Sequence, residues 1–304
     1  MLTWVPLAAS AVSPSAVSSE PNCSAERLAR QCGGRGHEFS SRGMLKRDAG
    51  APSFAKRRVG DRLVGWVVTH HSWLGRPVVA ISTVLLDAGG VILNETEHER
   101  TRAQLAVELL TPIVAGYSVE NYHADVEQAV TCFCPHVYQY VFWKHLAPDR
   151  DRFDAVWQQY VDRCRQSLPP LRLSDGIGPE LYPLSKSFKL AIAGQYGREV
   201  LDLLDEHGLL QCFAFRFTQD DFAVTKPDPR YYEQIAQACG VDPAECIMVG
   251  DRIDKDVIPA RYVGMKTIRI RVGLHKRQEP RTPDEFPDAE LPDVKGLAVG
   301  VISL

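Results

Sequence analysis

The sequence predicts an α/β fold, a doubly wound parallel sheet carrying an inserted helical subdomain. Three observations lead there: short apolar runs alternate with helical patterns, three of those runs end in polar or glycine-rich turns, and one connection is far too long for a simple crossover. The 304 residues leave room for one large or two modest domains. With 45% hydrophobic and 24% charged residues, composition excludes wholesale disorder, collagen-like repeats and a multi-span membrane protein. The net charge of −3 is unevenly spread. Residues 1–76 hold 11 Lys and Arg against 5 Asp and Glu, so the head is basic and everything after it acidic.

Residues 1–76 sustain neither a two-residue nor a 3.6-residue hydrophobic period, and Pro14, Pro21, Gly33, Gly34, Gly50, Pro52 and Gly60 interrupt what there is. A disordered basic extension is expected there. Met1 to Val12 lacks the basic start and unbroken apolar stretch of an export signal. Acidic residues interleave with the basic ones and no stacking aromatics accompany them, so no nucleic-acid partner is expected, and no membrane. None of the eight cysteines makes a Cys-x-x-Cys pair, which fits reduced thiols in a cytoplasmic protein.

Val78 to Leu86 is apolar and β-branched nearly throughout, as a strand buried on both faces requires, and it runs into Asp87 and then Gly89-Gly90. Further strands are expected at Leu190–Ala193, Cys246–Val249 and Lys266–Ile270, with helices at Arg198–His207, Arg230–Cys239 and Lys255–Tyr262 between or after them. Between the first two strands lie the 95 residues Val91 to Ser185, with helical stretches near His98–Val114, Val119–Cys132, Pro135–His145 and Asp149–Cys164. The expected division is therefore a sheet core from 77–94 and 186–304 and a helical cap from 95–185. The cap's helix-spaced aromatics, among them Tyr122, Tyr138 and Tyr140, read as core, and the proline-rich stretch Leu274–Asp293 as a surface wrap or free tail.

Ligands of doubly wound sheets bind beyond the carboxyl ends of the strands. Asp87, Gly194-Gln195 and Gly250-Asp251 lie at such ends, and the sheet should bring Lys226 and Asp256 to the same place. Asp87 and Asp251 can hold one Mg²⁺ through oxygen ligands, with Lys226 neutralising a carboxylate nucleophile and a phosphoryl group. Asp256 would orient Lys226 or a metal-bound water. Asp228 and Asp254 read as a turn residue and a helix N-cap.

Val224-Thr225-Lys226-Pro227-Asp228-Pro229, followed by Ile247-Met248-Val249-Gly250-Asp251-Arg252-Ile253-Asp254-Lys255-Asp256-Val257 and Gly264-Met265, resembles the haloacid dehalogenase-like hydrolase superfamily, in its helical-cap, phosphatase-like branch. The resemblance spans about 78–273. It implies that Asp87 is the nucleophile, that Lys226 pairs with it, and that Asp251, Asp87 and the main-chain carbonyl of Gly89 ligate Mg²⁺. It further implies a Rossmann-like core, contact of Gly194, Gln195 and Lys226 with the transferred group, and a small phosphate ester as substrate.

Two positions depart from the family pattern. Gly89 stands where the family's acid/base aspartate belongs, and Gly194 where it has Ser or Thr. An absent acid/base is typically worth about 10² to 10⁴ in rate, so substrates with good leaving groups are expected. Lacking that aspartate also suits a 2-haloacid dehalogenase, although such enzymes do not need the metal-binding acid retained at Asp251. The paired losses further suit a catalytically silent phosphate-binding or regulatory protein. Oligomeric state has no signature in the sequence.

Overall fold

A computed structural model describes residues 80–304, together with the backbone of two strands, β1 (Phe54–Val59) and β2 (Arg62–Val68), which pair antiparallel. These two belong to one compact unit, Arg35–Ala80, and Ile81–Leu304 to another. The expectation of disorder over residues 1–76 otherwise lies outside the described residues.

The second unit is built on a six-stranded, all-parallel sheet. Its strands are β3 (Thr83–Leu86), β4 (Lys189–Ile192), β5 (Phe213–Phe215), β6 (Cys246–Gly250), β7 (Lys266–Ile270) and β8 (Ala289–Leu291), in the spatial order 5-4-3-6-7-8. The opening strand is shorter than its apolar run suggests, beginning at Thr83, although Ser82 already bonds to Glu245 and Lys189 on either side. Central β3 is buried on both faces and its side chains alternate between two cores. Val84 and Leu86 point to one and Leu85 to the other.

The first core is completed by helices α5 (Ile177–Ser187), α6 (Glu199–Glu206) and α9 (Leu297–Ile302), through Leu181, Leu184, Val200, Leu204, Leu297 and Val301. The second is completed by α7 (Pro229–Cys239) and α8 (Ile258–Tyr262), through Tyr232, Ile235, Ala236 and Ala260. Helices therefore cover both faces of the sheet, the doubly wound arrangement expected from the alternation.

Four more helices lie between β3 and α5: α1 (Thr96–Leu110), α2 (Val119–Thr131), α3 (Val137–Leu146) and α4 (Arg150–Ser167). Ser118 caps α2 in a reciprocal box with Asn121, and Asp149 caps α4 by accepting from the Arg152 amide at 3.0 Å. Tyr122, Tyr140, Trp143, Phe153 and Tyr160 are buried in a core of the insert's own, and the Phe142 and Tyr160 rings lie 4.7 Å apart. Tyr138 packs against that core and also lines a cavity.

The chain rejoins the sheet unit before the expected boundary at 185. Leu93 bridges to Leu173, the Asn94 amide bonds to the Arg172 carbonyl at 2.9 Å, and the Ser174 amide to the Ile92 carbonyl at 2.8 Å. Helix α5 consequently belongs with the sheet. The segment after β7 is neither a wrap nor a free tail. His275 and Gln278 are buried, Gln278 accepts from the Ile253 amide at 2.8 Å, and β8 extends the sheet beyond β7. Asp228 and Asp254 exchange their expected roles. Asp228 is the N-cap of α7, accepting from the Arg230 amide at 2.9 Å, whereas Asp254 sits inside a π-helical turn (Ile253–Val257) and pairs with Arg252 at 2.6 Å.

Candidate active site

Asp87 follows β3 directly, and its amide continues the ladder to the Val249 carbonyl at 2.8 Å, which fixes where the carboxylate emerges. Asp251 follows β6, the neighbour of β3, and since Leu86 pairs with Val249 the two acids emerge within one residue of each other at the same end of the sheet. The π-helical turn brings Asp256 back to the same point. Its Oδ2 accepts from the Arg252 amide at 3.0 Å. A Cβ at Gly250 would stand 2.3 Å from the Asp256 Cγ, so only glycine lets the carboxylate come so close to the strand end.

Lys226, in the loop between β5 and α7, reaches across all of this. Its Nζ donates to Asp87 Oδ1 at 2.8 Å and to Asp256 Oδ1 at 2.6 Å. Burial works against the ammonium charge, but Asp256 and Asp87 outweigh it and hold the Lys226 pKa well above that of an ordinary lysine. Burial pushes the Asp87 carboxyl up to about 6, against the opposing pull of Lys226. Asp251 is raised well above the usual carboxylate range by burial and by repulsion from Asp256 and Asp87.

Asp87, Asp251 and Asp256 present oxygens that all lie within 4.8 Å of one another. Among the described residues one ammonium, that of Lys226, hydrogen-bonds within this group of three carboxylates, and the excess of acids, together with an all-oxygen donor set, fits a hard divalent cation.

These groups open into a cavity of about 1160 Å³ whose other walls come from the helical insert and from the loop after β7. Of the sequence-predicted residues, Asp87, Gly89, Gln195, Lys226, Asp251 and Asp256 line it. Gly194 does not. It is buried, and a Cβ there would lie 2.4 Å from the Ala88 Cβ and 2.8 Å from the Ala88 amide nitrogen. The missing hydroxyl at 194 is thus a steric consequence of how closely β4 runs beside the turn after β3.

Two residues of the site are not apparent from sequence. Glu95 precedes α1 as its N-cap without a side-chain capping bond, and its carboxylate turns into the cavity instead. There Oε1 accepts from the Tyr196 hydroxyl at 2.6 Å, while Oε2 lies 2.8 Å from where a Cβ on Gly89 would stand. Arg102 approaches Glu95 at 4.0 Å but pairs with Glu99 at 2.6 Å, and Glu99 also accepts from the Tyr138 hydroxyl.

The family model that matches the chain is that of haloacid dehalogenase-like hydrolases, over residues 81–264, more than half the length. A glyceraldehyde 3-phosphate phosphatase of Methanopyrus kandleri is 43% identical over 72 residues, covering 24% of this chain and 31% of that protein. A phosphoserine phosphatase of Thermus thermophilus is 34% identical over 88 residues, covering 29% and 34%. The chain thus spans about a third of the length of these curated relatives. Among solved structures, a predicted phosphoglycolate phosphatase from Haemophilus somnus superposes with a TM-score of 0.55 at 15% identity, covering 76% of this chain and all of that one, a likeness of fold.

Proposed function

Because the chain belongs to the haloacid dehalogenase-like hydrolase family, we propose that it is a Mg²⁺-dependent phosphatase acting on a small phosphorylated metabolite through an aspartyl-phosphate intermediate. The observation that carries this reading is the Lys226 ammonium held between Asp87 and Asp256, with Asp251 alongside, at the mouth of one cavity. The phosphatases among its relatives support the same class.

Asp87 is the nucleophile, through the oxygen that does not accept from Lys226. Lys226 orients Asp87 and neutralises charge that builds on the phosphoryl oxygens. Asp256 fixes Lys226 and is itself fixed by the Arg252 amide and, at 3.4 Å, by the Tyr232 hydroxyl. Asp87, Asp251 and the Gly89 carbonyl, with Asp256 behind them, would hold Mg²⁺, which when bound supplies electrostatic stabilisation to the transferring phosphoryl group. Gln195 bounds the phosphoryl pocket, and the helical insert limits entry of water and chooses the substrate. Among the described residues no helix is long and apolar enough to cross a membrane, and a cytoplasmic site of action agrees with a small polar substrate.

The test is a panel of phosphate monoesters and 2-haloacids with Mg²⁺ or with chelator. Phosphate release that needs the metal, and falls at least about 10³-fold in Asp87→Asn, is the expected result. Halide release without metal would establish the dehalogenase reading, and full turnover by Asp87→Asn would remove Asp87 from its role.

A further inference from the structure

The geometry points to Glu95 as the proton-transfer group of this site, taking over from a residue of the insert the role left vacant by Gly89. The inference rests on the phosphatase reading. Gly89 has no side chain, and the space its side chain would enter already holds a carboxylate. Glu95 Oε2 lies 2.8 Å from the Cβ that any other residue at 89 would carry. The two cannot both be acids in one place, and here the acid comes from Glu95.

Three features suit this carboxylate to proton transfer. Its Oε1 is anchored by the Tyr196 hydroxyl at 2.6 Å, which fixes the group while spending only one of its oxygens. Among the described residues no side chain hydrogen-bonds to Oε2, and the side chain keeps 28% of its exposure, toward the cavity that Asp87 and Lys226 also line. Nor is Glu95 needed to neutralise Arg102, which has a closer partner in Glu99. A purely structural counter-ion would have the opposite arrangement, with both oxygens engaged and the cation at short range.

The Asp87 carboxylate bonds to phosphorus as the ester P–O bond breaks, and protonated Glu95 gives its proton to the departing alkoxide oxygen. Glu95, now a carboxylate, takes a proton from the attacking water, whose oxygen bonds to phosphorus as the Asp87–phosphoryl bond breaks. Orthophosphate leaves, Asp87 is again a carboxylate and Glu95 again an acid. With this group in place, alkyl phosphates are served as well as aryl phosphates, which replaces the restriction to good leaving groups expected from Gly89 alone.

Rapid-quench measurements with glycerol phosphate and with p-nitrophenyl phosphate, on the full chain with Mg²⁺, test the assignment. Glu95→Gln is expected to lose about 10² to 10⁴ in turnover of the alkyl ester. With the aryl ester it should still release one equivalent of nitrophenol in a burst and then stall, with a phosphoryl adduct on Asp87 visible by mass. Formate should partly restore turnover to Glu95→Ala, and so should a carboxylate returned on the opposite side, in Glu95→Ala/Gly89→Asp. A variant that melts like the unmodified protein, slows both esters equally and accumulates no adduct would overturn the inference and leave Glu95 a structural residue. If Glu95→Gln does not fold, the double variant decides, by turning over the alkyl ester or failing to. An unmodified protein that releases phosphate from neither ester defeats the phosphatase reading itself, and this inference with it.

Discussion

At the scale of single residues, close approach decides more of this site than charge does. Gly194 lies so near the Ala88 main chain that a side chain has nowhere to go. Gly194→Ser, which would install the family's hydroxyl, is therefore expected to destabilise the protein by about 1–3 kcal/mol and to lower turnover, both measurable by denaturant melts and steady-state assay. A gain in activity would mean that the β3–β4 spacing yields easily. Asp87, Lys226, Asp251 and Asp256 were legible in the sequence because each ends an apolar run or stands within a short, ordered motif. Glu95 and Tyr196 were not, because their hydrogen bond joins residues 101 positions apart and neither sits in a pattern that marks it. Gly194 could be read only as a loss, since the Ala88 contact that makes glycine necessary exists only in three dimensions.

At the scale of elements, Asp125 on α2 ties the insert together. It accepts from Lys144 and pairs with His145 on α3, each at 2.6 Å, and from the Tyr117 hydroxyl at 2.8 Å. Burial opposes its charge, but the hydrogen bonds from His145, Lys144 and Tyr117 outweigh burial and hold its pKa below the ordinary 3.8. A carboxyl depressed on folding stabilises the folded state fully above its unfolded pKa, and that contribution fades as pH falls below 3.8 through the folded value. Asp125→Asn should accordingly cost about 1–3 kcal/mol at pH 7, with the gap to the unmodified protein closing as pH is lowered beneath 3.8. Denaturant melts across that range check both the size and the sign. The long helices of the insert were readable as helical stretches, whereas β5 and β8 were not. Each has only three residues, Phe-Ala-Phe and Ala-Glu-Leu, too few to show alternation, and they become strands only because β4 and β7 offer an edge.

At the scale of the whole molecule, the sheet's fold was apparent from the alternation of strands and helices, while the insert's limits depended on pairing that no local pattern announces. The same sheet gathers three carboxylates, two of them buried, so its stability should depend on a divalent cation. Mg²⁺ is expected to raise the melting temperature in a concentration-dependent way, as a ligand of the folded state alone must, and chelator should reverse it. Asp251→Asn should abolish the shift and melt no lower than the metal-free unmodified protein, since one repelling charge is gone; an undiminished shift would place the ion elsewhere. The bonds between Asn94 and Arg172 and between Ser174 and Ile92 carry a separate consequence. They make the insert's two ends adjacent threads of one seam, so a tight turn would close the gap if everything between were cut away. Whatever is stitched in at that seam becomes the ceiling of the reaction chamber while its floor goes untouched, and a lineage can retailor what it admits without rebuilding how it reacts.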